Sequence, residues 1–97
     1  MLVLALGLTL AIPAWAMLTV IEPPARYPAY SGKVTTHMLP LKALQKACRL
    51  TRVEACAFPM RTWCVVYLPT GRTPQRLAAL KRHELAHCSG WPANHPR

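Results

Sequence analysis

Aspartate is missing from this 97-residue chain, and glutamate occurs only at positions 22, 54 and 84. No acid follows Glu84, so a metal site near the C-terminus is not expected to draw on a downstream carboxylate. No Lys, Arg, Asp or Glu occurs in the first 21 residues, and no Cys lies near residue 17, which excludes a lipid-modified N-terminus there. The basic residues form no dense run, so a nuclear-localisation segment or a basic tail is excluded. Internal repeats and low-complexity tracts are absent as well.

What the leader does contain is apolar. Leu2 to Ile12 run without a charge, followed by Pro13 and Ala14-Trp15-Ala16. A hydrophobic stretch, a helix breaker and an A-x-A site make residues 1–16 a secretory signal peptide, although the usual basic start is lacking. The alternative is an uncleaved anchor over residues 1–21, since about 20 apolar residues span a bilayer. Export to the periplasm or medium is the expected localisation, and a membrane association is expected only if the segment stays attached.

The exported part, residues 17–97, carries all 12 Lys and Arg against three acids, a formal charge of +9. Such a surface attracts anionic envelope polymers; nucleic acid is not the expected partner. A chain this short buries little core and needs a staple. Cys48, Cys56, Cys64 and Cys88 supply one. Steps of eight residues between the first three are not the C-x₂₋₄-C spacing of a thiolate zinc site, so two disulfides are expected. The preferred pairing is Cys48–Cys88 with Cys56–Cys64, ahead of Cys48–Cys64 with Cys56–Cys88.

Residues 17–37 hold Pro23, Pro24, Pro28 and Gly32 without a period and read as an extended arm. Residues 38–97 form the expected domain. Leu39–Leu50 is a helix with Leu41, Leu44 and Cys48 on one stripe. Val53–Phe58 and Trp63–Leu68 are two strands joined by a turn at Pro59-Met60-Arg61-Thr62. A second helix follows from Pro74 to Ser89, with Thr73 as N-cap, Pro74 at its first position, and Gly90 and Pro92 ending it. The fold class is therefore α+β: a small, disulfide-stapled, monomeric domain.

Within that last helix stands His83-Glu84-Leu85-Ala86-His87, an H-E-x-x-H segment. Histidines four apart share a helical face and can hold one Zn²⁺, with the glutamate between them as general base for a water. The alternative is a pair of surface histidines on a basic helix beside Lys81 and Arg82. The remaining ligand candidates are His95, His37, Glu54 or a free cysteine. His95 is preferred, because a turn at Gly90 can fold residues 91–95 back over the helix end. A fourth protein ligand, such as His37 or a thiolate, would close the site and make the metal structural. Tyr67 and Arg61 are candidates for stabilising an oxyanion.

His83, Glu84, His87 and Gly90 resemble the metzincin pattern H-E-x-x-H-x-x-G-x-x-H, which fails at Ala93 and lacks a following methionine. The longer stretch from His83 to His95 is similar to small bacterial and phage proteins with an H-E-x-x-H-C-x-G-W signature after a cysteine-bearing hairpin. That resemblance covers roughly residues 48–97 and implies a zincin-like core with a metallopeptidase role. In such a core a substrate peptide adds to a sheet edge above the metal, and Trp63–Leu68 is the expected edge. The function expected is zinc-dependent hydrolysis of a peptide or of peptidoglycan crosslinks, with Glu84 catalytic and His83, His87 and His95 on the metal. The alternative is a basic binding protein in which zinc is structural or absent.

Overall fold

The computed structural model describes Pro13 and residues 19–97. The signal segment expected over residues 1–16 lies, apart from Pro13, outside the described residues. Five elements follow one another: β1 (Lys33–Leu39), α1 (Leu41–Cys48), β2 (Cys56–Pro59), β3 (Trp63–Pro69) and α2 (Pro74–Cys88). The strands form one sheet in the order β1-β3-β2, with β1 parallel and β2 antiparallel to β3. Among the described residues no helix is long and apolar enough to cross a membrane.

Two sequence expectations change here. Strand β1 takes up residues 33–37, which were assigned to the extended arm. The arm therefore stops at Gly32, and Val34, Thr35 and Thr36 pair with Cys64, Val65 and Val66. As a consequence β3 is the central strand. Trp63–Leu68 offers no free edge, because its backbone is paired on both sides; the outer strands are β1 and β2.

Alternation along β3 divides the sheet into two faces. Cys64, Val66 and Leu68 are buried and form one cluster with Ala55, Leu80 and Cys88. Val34 and Ala57, the register partners of Cys64 and Val66, pack on the same cluster. This is the face that α2 covers. Tyr67 points the other way, stacked on His37 and meeting Phe58 edge-on.

The same geometry corrects the disulfides. The bonds are Cys48–Cys56 and Cys64–Cys88, with Cα separations of 6.0 and 5.8 Å. Neither expected pairing occurs. Cys56 sits opposite Tyr67, whereas Cys64 sits opposite Pro59. Those two cysteines are three residues out of register, about 10 Å along the strand at about 3.3 Å per residue, beyond the reach of a disulfide. They also project from opposite faces. Cys56 meets Cys48 of α1, and Cys64 meets Cys88 of α2, so one staple lies on each side of the sheet.

Helix α2 ends where its punctuation says it should. The Thr73 hydroxyl accepts from the Arg76 N–H at 3.2 Å, and Pro74 occupies the first turn. At the other end the Gly90 and Trp91 N–H groups bond back to His87 and Ala86 carbonyls at 3.0 and 3.1 Å. Gly90 has φ 105°, a conformation that glycine adopts without steric cost. This turn reverses the chain and sets the position of everything after it.

Candidate metal centre

His83 and His87 stand one turn apart on α2, and the reversal at Gly90 brings His95 to them. The three Nε2 atoms form a near-equilateral triangle. His83 to His95 is 3.1 Å, His87 to His95 is 3.1 Å and His87 to His83 is 3.2 Å. Among the described residues this is the group of His, Cys, Asp or Glu side chains that could hold a metal ion.

The other ring nitrogens decide what the triangle can accept. His87 Nδ1 lies 2.7 Å from the Trp91 carbonyl, and His83 Nδ1 lies 2.8 Å from the Ile21 carbonyl. A carbonyl only accepts, so each Nδ1 carries the proton. Neutral imidazoles of that tautomer present bare lone pairs at Nε2. Two such lone pairs face each other at 3.2 Å, and His95 can donate a single proton between them. The arrangement is short of positive charge at its centre. In a regular tetrahedral site with metal–nitrogen distances of about 2.0–2.1 Å, nitrogens are separated by roughly 3.3 Å. The observed edges of 3.1–3.2 Å fit a tetrahedral divalent ion seated on the triangle. Backbone carbonyls on the distal nitrogens are the usual way to fix such ligands.

Trp91 holds the three rings in place. It is 2 % exposed. It stacks on His87 at 4.8 Å, and it meets His83 at 5.0 Å and His95 at 4.9 Å. Its indole N–H donates to the Pro96 carbonyl at 2.8 Å. His95 itself adopts φ 56°, left-handed backbone for a non-glycine residue, in a turn where its N–H reaches the Pro92 carbonyl at 2.9 Å. A conformation that costs of order 1 kcal/mol at a candidate ligand is a pattern common in functional sites. The tryptophan's role in the site was not anticipated from the sequence, although its place next to Gly90 is part of the H-E-x-x-H-C-x-G-W signature.

Glu84 lies beside the triangle, with Oε1 3.9 Å from His83 Nε2, and is 5 % exposed. Burial pushes its carboxyl up to about 7. Burial also lowers the basicity of His83, aided by the neighbouring His87 and His95 and opposed by the Ile21 carbonyl. His95 is lowered by burial and by His87.

The other candidates lie elsewhere. His37 stacks on Tyr67 at 4.9 Å on the face of the sheet away from α2, so it supplies no fourth ligand. The cysteines are all in disulfides. Glu54 is engaged at the opposite end of α2. Its Oε2 accepts from Arg72 Nε at 2.7 Å and from Arg76 Nε at 2.9 Å, and its Oε1 accepts from Arg76 Nη2. Burial raises its pKa, but the hydrogen bonds and charges of Arg76 and Arg72 outweigh that and hold it below the usual carboxylate value. Tyr67 and Arg61 do not line the cleft described next, which removes them as oxyanion candidates.

The triangle opens into a cleft of about 470 Å³ between α2 and β2. Leu80, His83, Glu84 and His87 form its floor, and Ala55, Ala57 and Pro59 form the β2 wall. Two alanines, Ala55 just before β2 and Ala57 on it, leave the room. Thr19, Val20 and Ile21 make the third side. Val20 packs on the core, and Glu22 pairs with Arg82 at 2.6 Å, fastening this segment across the site. Comparison with known protein families, curated proteins and solved structures finds no match.

Proposed function

We propose that the protein is a small exported zinc-dependent peptidase, with His83, His87 and His95 holding the metal and Glu84 acting as general base. The observation that carries this reading is the triangle of Nε2 atoms, 3.1–3.2 Å apart and open on one side to a cleft that also contains a carboxylate. Three ligands with an open position are the pattern of a catalytic rather than a structural zinc. Two disulfides suit an oxidising, extracytoplasmic compartment.

In the zincin-like arrangement inferred here, an extended peptide adds to the free edge of β2 and lies over the alanine wall. Zinc, when bound, supplies a Lewis acid that lowers the pKa of water toward about 7 and polarises the scissile carbonyl. Glu84 takes the proton from the attacking water and returns it to the leaving amine. Trp91 keeps the three imidazoles in register, and the Trp91 and Ile21 carbonyls keep the proton on each Nδ1. Peptide crosslinks of the cell wall are a substrate class reachable by an exported chain of net charge +9. That charge also favours a second reading, a basic protein that binds an anionic envelope polymer around a structural metal.

The decisive experiment combines elemental analysis with one substitution. The oxidised protein should carry one zinc per chain, and His83→Ala should lose it. Glu84→Gln should keep zinc and fold while peptide hydrolysis falls about 10²–10⁴-fold. Zinc-loaded wild type that is inert across peptide and peptidoglycan panels would favour the binding protein.

A further inference from the structure

The cleft does not end at the histidines. On α2 it continues through Leu80 to Arg76, and Arg52, Val53 and Glu54 close that end. Arg76 precedes His83 by seven residues, two helical turns or about 10 Å along the axis. The walls between are apolar.

Charge at the far end is unbalanced. Glu54 is shared by two arginines, Arg72 at 2.7 Å and Arg76 at 2.9 Å, so one carboxylate faces two guanidinium groups. Arg72 does not itself line the cleft; its Nη2 is buried with no hydrogen-bond partner. Arg52 adds a third positive charge at the rim. Of the chain's three acids, Glu22 is paired with Arg82, Glu54 is taken by Arg72 and Arg76, and Glu84 stands at the histidines. A carboxylate on another molecule would therefore meet net positive charge at this end.

We propose that the Arg52–Arg76 end of the cleft is a subsite for a carboxylate carried by an extended peptide, about three residues from the bond that faces the histidines. Three residues at about 3.3 Å each span the two helical turns. The peptide's apolar side chains lie against Leu80, Ala55 and Ala57, and its carboxylate, from an acidic side chain or a free C-terminus, sits by Arg52. This deepens the peptidase reading and rests on it for the chemistry at the histidines; the binding step is measurable without that chemistry.

The test uses fluorescence anisotropy of three dansylated probes on the oxidised protein, with zinc added and with a chelator present. The probes are Leu-Ala-Leu-Glu amide, Leu-Ala-Leu-Gln amide, and Leu-Ala-Leu-Gln with a free carboxyl end. At low salt one or both carboxylate probes should bind roughly 2–5-fold more tightly than the neutral one, the size of a partly exposed ion pair. Whichever does so identifies the source of the carboxylate. Salt should shrink the ratio. Because the protein is basic overall, Arg52→Ala is compared with Lys42→Ala, which removes the same charge from α1, outside the cleft. Arg52→Ala should bring the ratio to about one, while Lys42→Ala should leave it. Equal binding of all three probes, equal effects of the two substitutions, or no binding of any probe would overturn the proposal. Zinc uptake is measured separately, so a protein that takes no metal but keeps the ratio fails the peptidase reading and retains this one.

Discussion

The two ends of α2 carry two buried polar clusters, and they solve the problem of burial differently. At the N-terminal end Glu54, 8 % exposed, is neutralised by Arg72 and Arg76. At the C-terminal end Glu84, 5 % exposed, sits beside three imidazoles whose Nε2 atoms meet at 3.1–3.2 Å. The two carboxyls accordingly move in opposite directions. Arginine contacts overcome burial and pull Glu54 below its ordinary value, while burial drives Glu84 up to about 7. The first cluster, in which the chain supplies the partners of its own carboxylate, holds the fold. The second cluster, three imidazoles meeting at one point, could hold a metal ion.

The largest effect that could break this contrast comes from exchanging the roles. Glu54→Gln leaves Arg72, whose side chain is 6 % exposed, without its counter-charge. Removing one partner of a buried pair costs about 3–5 kcal/mol. The variant should therefore unfold at markedly lower denaturant while taking up metal normally when folded. His83→Ala should do the reverse, losing the metal with little change in the metal-free denaturation midpoint. If Glu54→Gln stripped the metal and spared stability, the division of labour would be wrong.

Next in size is the pH dependence of the metal-free protein. Glu84 has its folded pKa raised from 4.5 to about 7, so the folded state holds its proton more tightly. Its contribution is fully present below 4.5 and is lost as pH rises toward 7, a swing of about 3 kcal/mol. Glu54 is lowered, so its contribution is present above 4.5 and is lost as pH falls through its folded value. His83 and His95, lowered from 6.5, also lose stability as pH falls below 6.5. Subtracting the stability curve of Glu84→Gln from that of wild type in chelator isolates the first effect. The difference should fall between pH 4.5 and 7; a flat difference would mean that the Glu84 carboxyl is not isolated from charge.

Much of this was legible in the sequence, and the illegible parts have a common cause. Helix α2 announced itself through Thr73, Pro74 and Gly90 because caps are local chemistry. The shared face of His83 and His87 follows from helical spacing, and the reach of His95 follows from the turn at Gly90. Strand β1 did not show, because its partner is β3, thirty residues on, with Lys33 beside Trp63. A parallel register leaves no hairpin signal. The disulfides were misassigned because pairing depends on which face of the sheet Cys56 and Cys64 occupy, and that is set by the β2–β3 register. Nor could sequence show that Glu54 meets Arg76, or that the Ile21 carbonyl reaches across 62 residues to His83.

That last contact sharpens the comparison at smaller scale. Deleting residues 17–21 removes the carbonyl that accepts from His83 Nδ1, together with one side of the cleft. Loss of an outer hydrogen-bond partner typically weakens a metal site about 10–100-fold. Titration with zinc or cobalt should show such a loss. Nitrogen NMR should show the proton leaving Nδ1 of His83 for a mixture of tautomers. Val20 packs on the core, so the metal-free denaturation curve should also shift, by the loss of that apolar burial. An unchanged metal affinity would show that Trp91 and its neighbours suffice to hold His83.

The smallest effect separates the two staples. Cys48–Cys56 closes 8 residues and ties α1 to the sheet; Cys64–Cys88 closes 24 and ties α2 to it beside the histidines. Loop-closure entropy assigns them roughly 2.5 and 3.4 kcal/mol, a difference of about 1 kcal/mol. Position should matter more than size. Cys64 is 1 % exposed on the central strand and Cys88 follows His87 directly, so replacing both with alanine frees the end of α2 that carries two of the three proposed metal ligands. Replacing Cys48 and Cys56 loosens α1 on the opposite face. Both double variants should melt at lower temperature, the second pair slightly less so, but only the Cys64 and Cys88 variant should also bind zinc more weakly. Equal zinc affinity in the two variants would mean that Trp91 and the Gly90 turn fix the histidines without help from the disulfide beside them.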